Sequence, residues 1–165
     1  MIFPFIEKEF NIKKPVILHI GSGWNKNLSA VILALKGIEC HLRIIGKINE
    51  KQLQLLKEYH INYSNGCKLT DLEILDEYKN CDIVSFPSIF EGFGMPIIEG
   101  QATGRVVLTS NISPMKGIGG KAVQLVNPKD VLSIREGFLK IIKDKNHRDC
   151  LIKEGIENTK KFKSE

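Results

Sequence analysis

The sequence predicts an α/β fold, a three-layer α/β/α arrangement in which a six-stranded parallel sheet is covered by helices on both faces. Short apolar runs of buried-strand type, such as residues 16–20 and 106–109, alternate with amphipathic helical patterns along the chain. Glycines follow several of these runs, at Gly21, Gly46 and Gly66. Because ligands of parallel sheets bind at the carboxyl ends of strands, these glycines are expected on a ligand-binding rim.

In the first half of the chain, three strands alternate with three helices. The strands are predicted at residues 16–20, 41–46 and, with a weaker pattern, 61–64. The helices are predicted to start behind the N-caps Asn27, Asn49 and Thr70. Thr70 and Glu73 fit a capping box, so the acidic pair Asp71-x-Glu73 is interpreted as a helix start and not as a metal site.

The second half continues the alternation. Its strands are predicted at residues 82–86, 106–109 and 122–126. Helices are predicted to begin at Pro96 and at Pro128, the second with Asn127 as its N-cap. Residues 110–120 are predicted to be a polar, glycine-rich loop that turns the chain. A last helix, over about residues 146–162, has few apolar anchors, so we expect it to pack on something outside the chain or to fray.

Composition indicates one globular domain, with 42% hydrophobic and 26% charged residues. Residues 1–14 lack a clear period and are interpreted as a lead-in to a domain spanning residues 15–165. The four cysteines form no C-x-x-C pair, which favours reduced thiols in a cytoplasm. No apolar run is long enough to span a bilayer. The net charge of +5 suits an anionic ligand or membrane surface, although lysines on solvated helix faces explain most of it.

The stretch from residue 85 to 104 is predicted to carry the chemistry. A strand leads into a glycine loop containing Gly92 and Gly94, and a helix follows. The N–H groups of Phe93, Gly94, Met95 and Ile97 would lack helical partners there and could bind an anion. Glycines without a Cβ would let a ligand approach this backbone closely.

Two carboxylates flank this loop, Glu91 before it and Glu99 in the helix. Each can accept two hydrogen bonds, which suits a vicinal diol on a sugar or ribose. Taken singly, Glu91 fits a solvated loop residue and Glu99 a complement to the helix dipole. The glycine loop between them favours a ligand site.

Lys26, in the first strand-to-helix loop, is placed to meet a phosphate, although an exposed lysine without a role is the ordinary alternative. The run Gly21-x-Gly23-x-x-Lys26 is close to a dinucleotide fingerprint, but Lys26 replaces its third glycine. The acidic residue that the fingerprint needs is also missing, so NAD binding is disfavoured. His19, inside the first strand, is interpreted as a satisfied core residue.

The run Glu91-Gly-Phe-Gly-Met-Pro-Ile-Ile-Glu99, followed by Ala102-Thr-Gly104, resembles the Glu-x7-Glu signature of the retaining glycosyltransferases of family 4. Lys26-Asn27 and residues 126–128 fall where that family has comparable residues. The resemblance covers the chain from about Pro15 and implies a Rossmann-like domain, one half of a two-domain GT-B fold. It implies a donor-binding half of an enzyme that transfers a sugar, with retention, from a nucleoside diphosphate sugar to an acceptor glycan or lipid-linked glycan.

The resemblance also implies a role for each site residue. Lys26 would hold the diphosphate, Glu91 the transferred sugar and Glu99 the ribose. The loop Gly92-Phe93-Gly94-Met95 would hold phosphate and sugar hydroxyls, and the base would rest near Gly46 and Gly66. No metal or other cofactor is implied. The partners implied are the sugar nucleotide and a missing N-terminal acceptor domain or partner chain, with no nucleic acid.

Departures from the family pattern leave alternatives open. No Arg accompanies Lys26, because Ser22-Gly-Trp-Asn25 stands there, and Lys116-Gly117 replaces a frequent Pro-Glu. A non-enzymatic or degenerate nucleotide-binding module is therefore a second reading. A basic nucleic-acid-binding domain is a third, although no basic patch with interleaved aromatic residues supports it. A surface-polysaccharide enzyme would be cytoplasmic, with peripheral association at the inner face of the membrane.

Overall fold

The computed structural model describes residues 3–163, which form one six-stranded sheet with helices on both faces. All the strands run parallel and are short, between three and five residues. They are β1 (Val16–Ile20), β2 (His41–Ile45), β3 (Tyr63–Gly66), β4 (Ile83–Phe86), β5 (Val106–Ser110) and β6 (Gln124–Val126). The predicted α/β class and the six parallel strands are confirmed.

The strand order is β3-β2-β1-β4-β5-β6, so the chain reverses its direction of winding between β1 and β4. These two strands pair directly, with Leu18 opposite Val84 and His19 opposite Ser85. In a sheet of this kind, the loops that follow the two central strands diverge and leave a crevice between them. The loops after β1 and β4 are those that contain Lys26 and Glu91.

Within residues 3–163, seven α-helices cover the sheet. They are α1 (Leu28–Ala34), α2 (Glu50–Glu58), α3 (Asp71–Asn80), α4 (Met95–Ala102), α5 (Met115–Gly119), α6 (Val131–Lys143) and α7 (Lys145–Thr159). Successive side chains of a strand point to opposite faces, and Ile17 and Leu18 accordingly belong to two separate apolar cores. Helices α1, α2 and α6 pack in one core, and α3, α4 and α5 pack in the other, which confirms three layers.

Two predicted elements differ from the structure. The third strand lies at Tyr63–Gly66 and not at residues 61–64, because its polar side chains bond the neighbouring strand: Asn65 Nδ2 donates to Ile44 O at 2.9 Å. The predicted loop 110–120 contains the short helix α5. Its buried Met115 joins the core, and a Cβ on Gly119 would lie 2.6 Å from Val123 Cγ2. Tertiary packing therefore orders a segment whose composition indicates a loop.

Of the four predicted helix caps, two are wrong and two are confirmed. Asn27 has φ of 65° and makes no side-chain cap; its amide instead donates to Pro87 O at 2.9 Å and Pro128 O at 2.7 Å. Asp130, and not Asn127, caps α6 by accepting from Leu132 N–H at 3.0 Å. Asn49 caps α2 by accepting from Gln52 N–H at 2.8 Å, and the capping box of α3 at Thr70 is present, both as predicted.

The last helix, α7, packs within the chain, contrary to the expectation that it would pack elsewhere or fray. Leu151 is buried in the core, and the Arg148 guanidinium lies 4.2 Å from the ring centroid of Phe10. Asn158 Nδ2 donates to Gln101 Oε1 of α4 at 2.8 Å. Polar contacts hold this helix against the chain, so its apolar pattern alone gave no indication of its packing.

The predicted lead-in lies against the domain. Phe3 is buried with its ring 5.6 Å from that of Tyr78, and Ile6 N–H donates to Thr103 O at 3.2 Å. Residues 1–2 of the lead-in and 164–165 of the predicted domain lie outside the described residues. Within residues 3–163, no helix combines the length and apolar character needed to cross a membrane.

Candidate functional site

Lys26 and Glu91 meet above the carboxyl ends of β1 and β4. Their loops are joined by two hydrogen bonds to backbone carbonyls: Ile89 N–H donates to Asn25 O, and the Asn25 side-chain Nδ2 donates to Phe90 O, both at 2.9 Å. A turn of 3₁₀ helix, Trp24–Lys26, gives the first loop its shape. The two loops therefore form one connected rim at the point where the strand order reverses.

The Lys26 ammonium and the Glu91 carboxylate form a partly buried ion pair. The same oxygen, Glu91 Oε1, also accepts from Ser88 Oγ at 3.0 Å and from Asn25 Nδ2 at 3.3 Å. No hydrogen bond within residues 3–163 uses the other oxygen, Oε2. One carboxylate oxygen thus remains available to a ligand.

The path of the Lys26 side chain explains the glycine at position 21. A Cβ on Gly21 would lie 2.6 Å from Lys26 Cγ, and Gly21 has φ of +96°, a conformation that favours glycine. Lys26 Nζ then lies 5.1 Å from the ring centroid of Phe86, the last residue of β4. The ammonium is therefore held between the Phe86 ring and the Glu91 carboxylate.

Next to this pair, the backbone turns at Gly94, whose φ of +112° brings the chain into α4. The N–H groups of Phe93, Gly94 and Met95 take part in no hydrogen bond within the described residues. The prediction for Ile97 is wrong, because its N–H donates to Gly94 O at 3.0 Å and closes the first turn. Three open amides therefore lie at the positive end of the helix dipole, where an anion is favoured.

Glu99 lies one turn further into α4 and is half-buried. The Tyr78 hydroxyl donates to Glu99 Oε1 at 3.0 Å. Burial raises the pKa of Glu99 above its usual range, and the Tyr78 hydrogen bond opposes this shift. No salt bridge within residues 3–163 involves Glu99, so its charge is free to act on a ligand.

Gly46 directly follows β2, and Gly66 is the last residue of β3, so both lie on the same rim. Gly46 N–H donates to Gly66 O at 2.8 Å. A Cβ on Gly46 would lie 2.7 Å from Ser22 Oγ, so this glycine lets the loop after β1 approach closely. Gly66 lies on the edge strand, two strands away from Lys26, against the guanidinium of Arg43. The structure thus brings Gly46 near the first loop and leaves Gly66 at the periphery.

His19 is fully buried in β1, as predicted for a core residue. Its Nδ1 lies 3.1 Å from Ser85 Oγ, while Nε2 has no partner within residues 3–163, so the prediction of a satisfied residue is only partly right. Burial lowers the pKa of His19 to about 4. The imidazole is therefore neutral at physiological pH.

Three site residues were not identified from the sequence, Asn25, Tyr78 and Ser88, and the contacts of a fourth, Asn27, were not predicted. Asn25 and Ser88 hold the Glu91 carboxylate, Asn27 joins three loops, and Tyr78 orients Glu99. Asn25 and Ser88 could have been found, because polar residues next to Lys26 and three positions before Glu91 lie within reach of them. Tyr78 could not, because 21 residues separate it from Glu99.

The rim is open to solvent. Cavities of about 360, 470 and 570 Å³ lie elsewhere on the chain, and none is lined by Lys26, Glu91 or Glu99. Within residues 3–163, no group of three or more His, Cys, Asp or Glu side chains is arranged to hold a metal ion. An ammonium, three amides and two carboxylates on one open rim can bind a phosphate and hydroxyl groups together.

A family model described as "Glycosyl transferases group 1" matches residues 3–158. Among curated relatives, the O-antigen chain mannosyltransferase B of Escherichia coli is 23% identical over 160 residues, covering 97% of this chain and 36% of that protein. The serotype-specific mannosyltransferase WbdA of the same species is 30% identical over 132 residues, covering 72% of this chain and 16% of that protein. The chain thus spans about a third or less of the length of these relatives.

Solved structures show the same fold. The C-terminal domain of the group 1 glycosyl transferase LpcC from Francisella tularensis superposes with a TM-score of 0.80 at 22% identity, covering 99% of this chain and 97% of that one. Sucrose-phosphate synthase from Thermosynechococcus elongatus gives a TM-score of 0.78 at 21% identity, covering 92% of this chain and 42% of that one.

Proposed function

The chain belongs to the group 1 glycosyl transferases, and we propose that it is the half of such an enzyme that binds a nucleoside diphosphate sugar. The transferred sugar is a hexose, with mannose favoured because two relatives are mannosyltransferases. The reaction retains the anomeric configuration. The acceptor is a glycan or lipid-linked glycan of a surface polysaccharide, as the O-antigen relative suggests, and the enzyme works in the cytoplasm or at the inner face of the membrane.

One observation carries this proposal: the ammonium of Lys26 and the carboxylate of Glu91 meet beside three unpaired amides at the start of α4. A diphosphate needs positive charge and N–H donors, and this rim offers both within one connected pair of loops. Glu91 keeps one oxygen free for a sugar hydroxyl, and Glu99, one helical turn after Met95 in α4, is available for the ribose diol.

Catalysis follows from the charge that develops during transfer. As the bond to the anomeric carbon breaks, negative charge grows on the departing diphosphate and the sugar gains oxocarbenium character. Lys26 and the amides of Phe93, Gly94 and Met95 stabilise the first charge. The Glu91 carboxylate faces the second. This division of roles needs no metal or other cofactor.

The open rim also fits a cleft that another part of the enzyme completes. The chain covers 36% of the O-antigen mannosyltransferase, and the remainder of such a protein, or a partner chain, would supply the rest of the acceptor site. We therefore expect donor binding by this chain alone and sugar transfer only when the second half is present. A membrane-bound acceptor would bring the complete enzyme to the membrane surface peripherally.

Calorimetric titration of the chain with GDP-mannose, UDP-glucose and ADP-glucose tests the proposal. We expect saturable binding of at least one of these donors. Lys26→Met should weaken that binding by about 10- to 100-fold, because a charge-assisted hydrogen bond contributes about 1.5–3 kcal/mol. Glu99→Ala should weaken it to a similar extent through loss of the ribose contact.

Exposed residues of α2 provide matched controls: Lys57→Met and Glu58→Ala remove the same charges away from the rim and should leave binding unchanged. Donor binding that survives both Lys26→Met and Glu99→Ala would contradict the site. A salt-sensitive shift with single-stranded DNA, in the absence of any response to sugar nucleotides, would favour nucleic-acid binding instead.

A second candidate function is a non-enzymatic nucleotide-binding module. It is favoured by the absence of an arginine partner for Lys26, since the contacts of all four arginines lie elsewhere. Arg43 pairs with Glu77, and Arg105, Arg135 and Arg148 donate to backbone carbonyls away from the rim. This module would bind the nucleotide, but sugar transfer would stay absent after the acceptor half is supplied, as mass spectrometry of the products would reveal.

A further inference from the structure

An exposed aromatic pair lies directly beside the candidate site. Trp24 is 76% exposed and Phe90 63% exposed, and their rings are nearly parallel, with an interplanar angle of 21° and centroids 6.2 Å apart. Large aromatic side chains contribute most when buried, so two of them side by side in solvent form an unusual surface. We call these two rings the aromatic platform.

The platform is attached to the same loops as the proposed catalytic residues. Trp24 begins the 3₁₀ turn that ends at Lys26, and Phe90 immediately precedes Glu91. Asn25, between Trp24 and Lys26, donates to the Phe90 carbonyl at 2.9 Å. The platform and the Lys26–Glu91 pair are therefore held on the same two hydrogen-bonded loops, and a ligand on the platform would lie next to that pair.

The size of the platform indicates its occupant. Two aromatic side chains offer at most about 300–500 Å², whereas a stable protein interface buries about 800 Å² per partner. The flat C–H face of a pyranose ring matches the area of one or two aromatic rings, and its hydroxyl edge would remain in water. A carbohydrate therefore fits the platform better than a protein surface does.

Exposure distinguishes the acceptor from the donor sugar. The side chains of Lys26 and Glu91 are only 25% and 11% exposed, so the platform stands further out than the pair that would hold the transferred sugar. Resting on the proposed function, we propose that Trp24 and Phe90 stack against a pyranose ring of the acceptor glycan. They would orient that ring toward the transferred sugar.

Trp24 is the only tryptophan of the chain, so its fluorescence reports on the platform alone. The probe is a linear α-linked mannose tetrasaccharide, titrated with and without the donor that binds in calorimetry. We expect a saturable change in Trp24 emission. Phe90→Leu should weaken the apparent affinity by about two- to tenfold, because it removes one of the two aromatic rings available for stacking.

Phe5→Leu is the matched control, because Phe5 is also an exposed phenylalanine, at 55%, but lies against Gly104 away from the platform. It should leave the titration unchanged. Glu99→Ala should weaken donor binding in calorimetry by about 10- to 100-fold and leave the tetrasaccharide response intact, which separates the two proposals. Donor binding with no Trp24 response to the tetrasaccharide would overturn the platform and leave the proposed function standing.

Other occupants would also be visible. An emission shift with phosphatidylglycerol vesicles, without a response to the tetrasaccharide, would overturn the proposal in favour of a membrane surface. A concentration-dependent shift accompanied by a doubled mass would overturn it in favour of a second copy of the chain. Competition between the donor and the tetrasaccharide for the same response would overturn the acceptor assignment in favour of the donor sugar.

Discussion

The two ends of the sheet each carry a lysine–carboxylate ion pair, and the two pairs differ in how completely their carboxylates are used. At the amino end of β4, Asp82 accepts from Lys8 Nζ and Asn11 N–H through Oδ1 and from Val16 N–H through Oδ2. At the carboxyl end, Glu91 uses Oε1 alone. The two lysine side chains are equally exposed, at 25%.

This difference separates a structural pair from a functional one. Both oxygens of Asp82 are satisfied, two of the three bonds come from backbone amides, and the Asp82 side chain is only 1% exposed. Such a carboxylate fixes the lead-in to the sheet and has no capacity left for a ligand. Glu91 is held firmly enough to be positioned and still offers an oxygen, as a binding site requires.

The largest expected effect comes from exchanging each carboxylate for its amide. Asp82→Asn should lower the free energy of unfolding by about 3 kcal/mol, because it leaves Lys8 unpaired and turns an N–H donor toward backbone N–H groups. Glu91→Gln should lower it by less than about 1 kcal/mol, because Oε1 can still accept and Lys26 reaches water. Urea denaturation measures both values.

For donor binding, we expect the larger loss in Glu91→Gln and the smaller one in Asp82→Asn. Asp82→Asn, at a urea concentration where it remains folded, should bind the donor as the unchanged chain does, whereas Glu91→Gln should not. Equal losses of stability in the two variants would show that the two pairs are alike and would remove the distinction.

The second prediction concerns the loss of stability in acid, which we expect to depend on His19 in β1, beneath the rim. The pKa of His19 is about 4 in the folded chain and about 6.5 in an unfolded one, so the unfolded state binds more protons below pH 6.5. Its contribution to stability is fully present above pH 6.5 and is lost as the pH falls toward 4. The expected loss at pH 4 is about 3 kcal/mol.

The comparison is between the unchanged chain and His19→Leu, by urea denaturation at intervals from pH 7 to pH 4. The variant should lose stability less steeply over this interval, whatever its stability at pH 7. His60→Gln, at an exposed loop position, serves as the control and should keep the original slope. Parallel curves for all three proteins would show that His19 does not carry the acid sensitivity.

The smallest effect is expected at Glu99, where burial raises the pKa. Since the folded state then favours the protonated form, stability falls as the pH rises from the unfolded pKa of Glu99 through its folded pKa, and the full penalty is present above the folded pKa. Glu99→Gln removes that charge and keeps an oxygen for the Tyr78 hydroxyl. It should raise the melting temperature slightly at pH 7 and weaken donor binding; a lower melting temperature would refute this account.

The apolar runs of the sequence were sufficient to predict the parallel sheet, since strands buried on both faces consist of continuous apolar residues. Local rules also found the capping box at Thr70 and the glycine turn before α4. These features depend on residues close together in sequence. The same rules failed at Asn27, because its amide bonds the carbonyls of Pro87 and Pro128, 60 and 101 residues away.

The site shows the same division. The sequence predicted that Lys26 and Glu91 lie on the rim, because loops after parallel strands share one edge of the sheet. It could not predict that Ile97 closes its own turn or that Tyr78 donates to Glu99. The packing of helix α7 could not be predicted for a related reason. It depends on two polar residues, Arg148, whose guanidinium lies over the Phe10 ring, and Asn158, which donates to Gln101, and both partners are distant in sequence.

The seating of α4 on the sheet has a consequence for the spacing of the rim. A Cβ on Gly100 would lie 2.9 Å from both Val84 Cγ2 and Val107 Cγ2, so the helix axis runs as near to β4 and β5 as a bare backbone allows. The height of α4 above the strands therefore sets how far Glu99 and the Gly94 amide stand from Lys26. The absence of a side chain at Gly100, in the interior, therefore helps to set the spacing of the site residues at the surface.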